Sequence, residues 1–336
     1  MNSTPQSPNP TPVAAFVNSL MLGEPQVFRH VVLFPLSTAM DGVPPYLTLG
    51  EALGAGTVEV TETSQAGSVP ELFVINRGEE RVLLVDGEEL LGAKQNRVLN
   101  TSILLKPRSE TVIPVSCTER GRWSYTQAAS FQESEAMLET RIRSRKVGSV
   151  SASLLAECGY ASDQGEVWHG IGKLSAKAAV PSQTHAMHDV FKSREAELGQ
   201  ALDAFMLLPG QKGLLVVVNG RVGGFDALSL ERPFARLHRK LVKSYVLDAL
   251  LDRDAKPADP GKSRRVAQAF LRRAARCRGR SFPSAGVGED ARFQSPTVSG
   301  SALLEENRVV HTAFFRVEKS SSGESQSPRG RHWIIE

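Results

Sequence analysis

Apolar and polar residues alternate along three nearby stretches: VEVTETS from Val58, ELFVINRG from Glu71 and RVLLVDGEELL from Arg81. A period of two places successive side chains on opposite faces, so each stretch predicts a half-buried strand. Asn76-Arg77-Gly78 and Asp86-Gly87 supply turn signals between them. HVVLFPL from His30 reads as a short apolar strand, and YLTLGEAL as a strand running into a helical turn. RVLNTSILLKP and ETVIPVSCTERGRW complete an antiparallel sheet region from about His30 to Trp123.

The period then lengthens. Glu133 to Ile142 predicts a short helix, and SDQGEVWHGIGKLSA another, with Asp163 as N-cap, Glu166 three residues later and Val167, Ile171, Leu174 and Ala178 at helical spacing. From about Ser182 a longer helix carries Met187, Val190, Phe191, Leu198, Leu202 and Phe205 on one stripe and stops at PGQKG. In LLVVVNGRVGGFDA, Asn219-Gly220 can both take the positive φ of a type I′ turn, which predicts a hairpin. Pro233 suits the first turn of a helix with Phe234, Leu237, Leu241 and Tyr245 inside, and Ser263 to Cys277 forms the last helix. SALLEENRVVHTAFFRV is a closing hairpin.

Strands, then helices, then strands predict an α+β fold: an antiparallel β-sandwich or barrel-like sheet with a helical layer and C-terminal strands returning to the sheet. Residues 1–27 read as a disordered tail and a short helix, 28–317 as a single domain, and 318–336 as a flexible tail.

Composition narrows the class. With 41% hydrophobic and 23% charged residues in 336, the chain reads as a soluble protein with a substantial core. Its longest apolar runs, such as GLLVVV from Gly213, fall far short of the roughly 20 residues a membrane span needs. The N-terminal stretch lacks the pattern of a secretory leader, and Cys117, Cys158 and Cys277 are too scattered for a disulfide framework, so a cytoplasmic setting is expected. The net charge of +4 is uneven: 15 basic and 5 acidic residues fall between Glu231 and Arg280, giving +10 there and −6 elsewhere. That asymmetry permits an anionic partner.

Candidate chemistry gathers in GEELLGAKQNRVLNTS, Gly87 to Ser102. If Lys94 to Leu104 is extended, Leu99, Ile103 and Leu105 share one face and Asn96, Asn100 and Ser102 the other, with the two asparagines about 13 Å apart. The competing interpretation is a hairpin with a solvated polar face. In SCTERGRW, Glu119, Arg122 and Trp123 supply an acid, a phosphate-binding fork and a stacking ring, and Cys117 has the cations Arg120 and Arg122 nearby, as a thiolate nucleophile requires. His185 and His188 lie one turn apart without further ligands, so no metal site is expected. Gly261-Lys262-Ser263 lacks the rest of a phosphate loop.

The blocks LTLGEAL, VPELFVINRG, DGEELLGAKQNRVLN, IPVSCTERGRW, SDQGEVW and VNGRVGGFDALSLERPFARLHRKLVKSYVLDAL resemble a prokaryotic family, the ADP-ribosylglycohydrolase and rhodanese-phosphatase associated domain, over most of Phe28 to Leu251. Its motif positions match Glu88, Glu89, Lys94, Gln95, Asn96, Asn100, Cys117, Glu119, Arg122 and Trp123, with Glu166, Trp168, Asn219, Arg221 and Asp226 in later blocks. Leu237-His238-Arg239-Lys240 departs from the aromatic and proline expected ahead of a basic residue.

The resemblance implies an NAD or ADP-ribose type ligand and partner enzymes of ADP-ribose processing; it names no reaction and no cofactor. On that expectation Arg122, Lys94 and Arg97 hold phosphates, Asn96 and Asn100 bond ribose or amide groups, and Trp123 stacks on a base. Glu88 and Gln95 complete the ligand set. Glu89, with Glu119 in reserve and Cys117 as the alternative nucleophile, carries the chemistry. Two other functions stand beside this one: a non-enzymatic nucleotide sensor or protein-interaction scaffold, and nucleic-acid binding through the basic helix 263–277.

Overall fold

The computed structural model describes residues 11–317 apart from 42, 65–67, 69, 123–129, 253, 254 and 256. The fold is α+β and is organised around a nine-stranded antiparallel sheet. Strand Val31–Ser37 shows how that sheet serves two cores. Val32, Phe34 and Leu36 face helices Pro12–Ser19 and Pro260–Arg276, while Val31 and Leu33 face the opposite helical layer. A strand covered on both sides has no polar face, which is why it reads as a continuous apolar run.

The predicted hairpin joins Gly213–Val218 to Arg221–Leu228 in the centre of this sheet, with Asn219 at φ 50° and Gly220 at φ 71° as a type I′ turn requires. The C-terminal strands Val298–Glu305 and Arg308–Arg316 return to the same sheet beside it. Helix Pro12–Ser19 is built into the fold: Thr11 caps it and Val13, Phe16 and Val17 are buried.

A smaller β unit holds the sequence motifs. Six strands, in the order Phe131–Met137, Glu88–Gly92, Arg97–Leu99, Ser109–Cys117, Glu71–Asn76 and Val58–Glu62, enclose an apolar core with a three-stranded sheet of Ile103–Leu105, Arg81–Leu84 and Tyr46–Thr48. Helix Leu49–Gly54 contributes Leu49 and Ala52 to that core, its start held by a complete Thr48/Glu51 capping box. Alternation again divides the strands, since Val82 and Leu84 face inward while Leu83 joins the central helical core. The Gly87–Ser102 stretch therefore lies at the junction of the β unit and the helical layer.

Four expectations change. Residues 133–137 belong to strand Phe131–Met137, which pairs with Glu88–Gly92, and the helix begins at Thr140 and runs to Leu155. Lys94 to Leu104 is not one strand: it divides into Arg97–Leu99 and Ile103–Leu105, and the two halves pair with different partners. The stripe from Met187 to Phe205 is buried as predicted but spans two helices, Met187–Ser193 and Glu195–Ala204. Tyr46–Thr48 pairs with Arg81–Leu84 in parallel, the exception in an otherwise antiparallel region.

A buried ionic network binds the layers together. Arg143 and Lys146, on the inward face of helix Thr140–Leu155, meet Asp86 from the β unit and Asp226 from the large sheet. Arg143 grips Asp226 with two nitrogens, at 2.9 and 2.6 Å. Tyr245 and His311 also bond Asp226, and the other ring nitrogen of His311 meets Ser102 at 2.8 Å. Burial opposes charge on Asp226, but Arg143 and His311 outweigh it and hold the carboxyl below its ordinary range. Burial lowers Lys146 to about 8 against the pull of Asp86.

Candidate functional site

Glu89 occupies the strand Glu88–Gly92 opposite Val98, with its carboxylate fully enclosed. Two hydroxyls serve it: Thr118 donates to Oε1 at 2.8 Å and Ser134 to Oε2 at 3.0 Å. Thr118 follows strand Ser109–Cys117 and Ser134 lies on Phe131–Met137, so segments from three parts of the motif region converge on this carboxyl. An imidazole stands beside it: the Nδ1 of His188 lies 3.9 Å from Oε2. That nitrogen is buried and has no hydrogen-bond partner among the described residues, although the imidazole as a whole is 36% exposed.

This environment favours the neutral acid. Burial pushes the Glu89 carboxyl up to about 7, the negative charge of Glu119 acts in the same direction, and the Thr118 and Ser134 hydrogen bonds only partly oppose it. A carboxyl poised there can accept or deliver a proton near neutral pH. The neighbouring Glu88 takes different partners, the Val85 amide at 2.7 Å and the Lys240 ammonium at 3.2 Å. Lys240 also bonds Glu133. Burial raises the Glu88 carboxyl, with Lys240 opposing and Glu133 assisting.

The second motif segment meets the first beside this carboxyl. Glu119 accepts from the Asn96 amide at 3.3 Å and pairs with Arg122 at 2.7 Å. Arg122 further donates to the Ala93 carbonyl at 2.7 Å and to Asn96 Oδ1 at 3.2 Å. The turn before strand Arg97–Leu99 is therefore clamped to Glu119 and Arg122, and Ala93 in it adopts φ 41°.

Behind the clamp, Arg97 has no exposure and donates to Gln95 Oε1 and to Cys117 Sγ, both at 2.8 Å, with Glu62 at 3.8 Å. The Lys94 amide reaches Glu62 at 3.4 Å. Gln164 closes over Cys117 by bonding both its backbone amide and its carbonyl. Burial pushes the Cys117 thiol up to about 11 despite Arg97, the opposite direction from the one an activated nucleophile needs.

The structure thus brings Gln95, Asn96, Arg97, Cys117, Glu119 and Arg122 into one polar seam with Lys94 at its edge. Glu89, on the strand face opposite Arg97 and Cys117, adjoins that seam through the charge of Glu119, and Glu88 bonds Lys240 instead. Asn100 bonds elsewhere, to Ser116 and to the Tyr160 carbonyl. Trp123 lies outside the described residues. Two cavities, of about 610 and 740 Å³, are lined around Leu251, Asp252, Ala255 and Pro257, and none of the seam residues lines either. Of the later motif positions, Asp226 belongs to the buried ionic network, Asn219 forms the hairpin turn, and Trp168 carries Arg120 over its ring at 5.5 Å.

Sequence reasoning missed Thr118, Ser134, His188 and Lys240. His188 was visible in THAMH as half of a histidine pair, but its proximity to a residue 99 positions earlier has no local signature.

The sequence matches the family model of the ARG and Rhodanese-Phosphatase-superfamily-associated Protein domain over residues 19–315. No curated protein and no solved structure matches the chain.

Proposed function

We propose that this chain, which belongs to the ARG and Rhodanese-Phosphatase-superfamily-associated Protein domain family, binds a ligand of the NAD or ADP-ribose type at the Glu89 seam and hydrolyses or transfers it there. The observation that carries the reading is the pairing of a fully buried Glu89, held at about 7, with the Nδ1 of a half-exposed His188 that has no hydrogen-bond partner among the described residues. Cleavage at a ribose anomeric carbon develops positive charge on the sugar and requires a proton acceptor for the attacking water or hydroxyl. Glu89 is the acceptor in this scheme, and His188 carries protons between Glu89 and solvent. Lys94 and Arg122 supply cations for the pyrophosphate. The family name supports the substrate class through its association with ADP-ribosylglycohydrolase.

The test pairs calorimetric titration of NAD and of ADP-ribose with chromatography of the products. Wild-type protein is expected to bind and to turn over one of them. Glu89→Gln is expected to keep binding and lose activity by about 10²- to 10⁴-fold, the range of a general base.

A second reading, a nucleotide sensor without chemistry, is favoured by one observation. Asn96, Gln95 and Arg97 are already bonded to protein groups, as in a rigid recognition scaffold. Binding with no product from wild-type protein would select it.

A further inference from the structure

Helix Pro260–Arg276 buries Ser263, Ala267, Phe270, Leu271 and Ala274, the last four in the core it shares with the large sheet. At 3.6 residues per turn, Arg265, Arg272 and Arg276 fall within about 30° of the line pointing directly away from that core. Together they form a stripe about 16 Å long. Arg273 flanks it. Arg278 follows the helix C-terminus, whereas Arg280 on the edge strand Gly279–Pro283 is the register partner of Arg292 and turns to the face away from the helix. Arg265, Arg272, Arg273, Arg276 and Arg278 are exposed, and none has an acidic partner among the described residues. Several surface arginines elsewhere are paired locally, Arg77 with Glu59, Arg108 with Glu79, and Arg232 and Arg236 with Glu51. What sets this face apart is the gathering of its arginines along one side of one helix.

The composition of the face decides what fits it. A protein partner would need an aromatic or aliphatic anchor at its centre, and an interfacial membrane helix would need a free apolar side. Neither is present: the apolar side of this helix is spent on the sheet, and the exposed large hydrophobic residues Met21, Val27, Met40, Val112, Leu155, Met206 and Leu207 lie on other elements. What the face offers is a row of forked donors, which match phosphate oxygens two at a time. We propose that it binds nucleic acid through the phosphate backbone, independently of sequence. Phosphate contacts position a protein on a strand and read no bases, so a flat row of arginines without groove-entering side chains suffices. This function is separate from the chemistry at Glu89.

The test is fluorescence anisotropy of the full chain with a labelled random duplex of about 20 base pairs, between about 50 and 200 mM salt. Four or five phosphate contacts predict that log K falls against log salt with a slope of about −4. Arg272→Ala with Arg276→Ala is expected to reduce the steepness by about 2 and to weaken binding at low salt at least about tenfold. Arg272→Lys with Arg276→Lys retains the charge and should retain most of the slope. Both sites are exposed, and circular dichroism confirms the fold of each variant. Glu89→Gln should bind the duplex like the wild type. Affinity insensitive to salt, equal binding by the double alanine variant, or sedimentation with anionic phospholipid vesicles without binding to the duplex would overturn the proposal.

Discussion

The Nδ1 of His188 stands 3.9 Å from the Oε2 of Glu89, so a half-exposed imidazole covers a carboxyl that has no exposure of its own. The separation is too long for a hydrogen bond and short enough for one to form with a small movement of the ring. Neither Thr118 nor Ser134 can neutralise a charge on Glu89, because hydroxyls donate without carrying one. The carboxyl's affinity for a proton near neutral pH is a direct result.

Stability should fall as pH rises from about 6.5 to 8, above the range in which His238, lowered to about 4 by burial, opposes the fall. Burial holds Glu89 and Glu139 both at about 7, whereas in the unfolded chain each titrates near 4.5. Between those values the folded protein holds more protons than the unfolded one, so raising the pH favours unfolding, by up to about 3 kcal/mol per group. Asp86 and Asp226 are lowered in the fold, and their contribution changes only at more acidic pH. Urea unfolding of Glu89→Gln should show a smaller loss than the wild type between about pH 6.5 and 8, with Glu139, Glu88 and Asp290 supplying the remainder. An unchanged slope would show that Glu89 does not titrate in this window.

Arg143→Met should destabilise the protein by about 3 to 5 kcal/mol, because it leaves Asp86 and Asp226 buried with fewer compensating charges. Chemical denaturation measures this. A loss under about 1 kcal/mol would mean that Lys146, His311 and Tyr245 satisfy the two carboxylates without it.

Gly87→Ala should cost about 2 kcal/mol or more. Gly87 has φ +89°, and an added Cβ would stand 2.9 Å from both Cδ and Nε of Arg143. Gly54→Ala, where a Cβ meets nothing within 4 Å, is the matched control and should be neutral or mildly stabilising in a thermal melt. Equal melting shifts for the two would refute the close approach at Gly87.

Alkylation of the folded protein near pH 8 should modify Cys158 quickly and Cys117 hardly at all. Cys158 is exposed, whereas Cys117 is buried and its thiol is pushed up to about 11. Peptide mapping after a short iodoacetamide pulse separates the two sites. Rapid labelling of Cys117 would restore it as a nucleophile.

Much of this architecture was legible in the chain because the physical signal is local. Asn219-Gly220 specified its hairpin, Asp163 capped its helix by accepting from the Glu166 amide, and the Met187 to Phe205 stripe was buried throughout. Helix Thr140–Leu155 escaped because two of its inward positions hold Arg143 and Lys146, so no apolar stripe announces it. Strand Phe131–Met137 was mistaken for a helix because Gln132, Glu133, Ser134 and Glu135 interrupt the hydrophobic pattern; its strand character comes from pairing with Glu88–Gly92. At the site, the meeting of Gly87–Asn100 with Cys117–Arg122 was foreseeable from neighbouring hairpin strands. The partners Thr118, Ser134 and His188 of Glu89 depend on tertiary packing, which has no periodicity to read.

The central claim is that Glu89 is a titrating group inside a ligand site, and carboxyl ¹³C NMR of glutamate-labelled protein tests it most directly. One resonance, absent in Glu89→Gln, should titrate with a midpoint near 7, and saturating ADP-ribose or NAD should move that midpoint. A Glu89 resonance that titrates in the ordinary carboxylate range, or one that neither ligand shifts, would contradict the account.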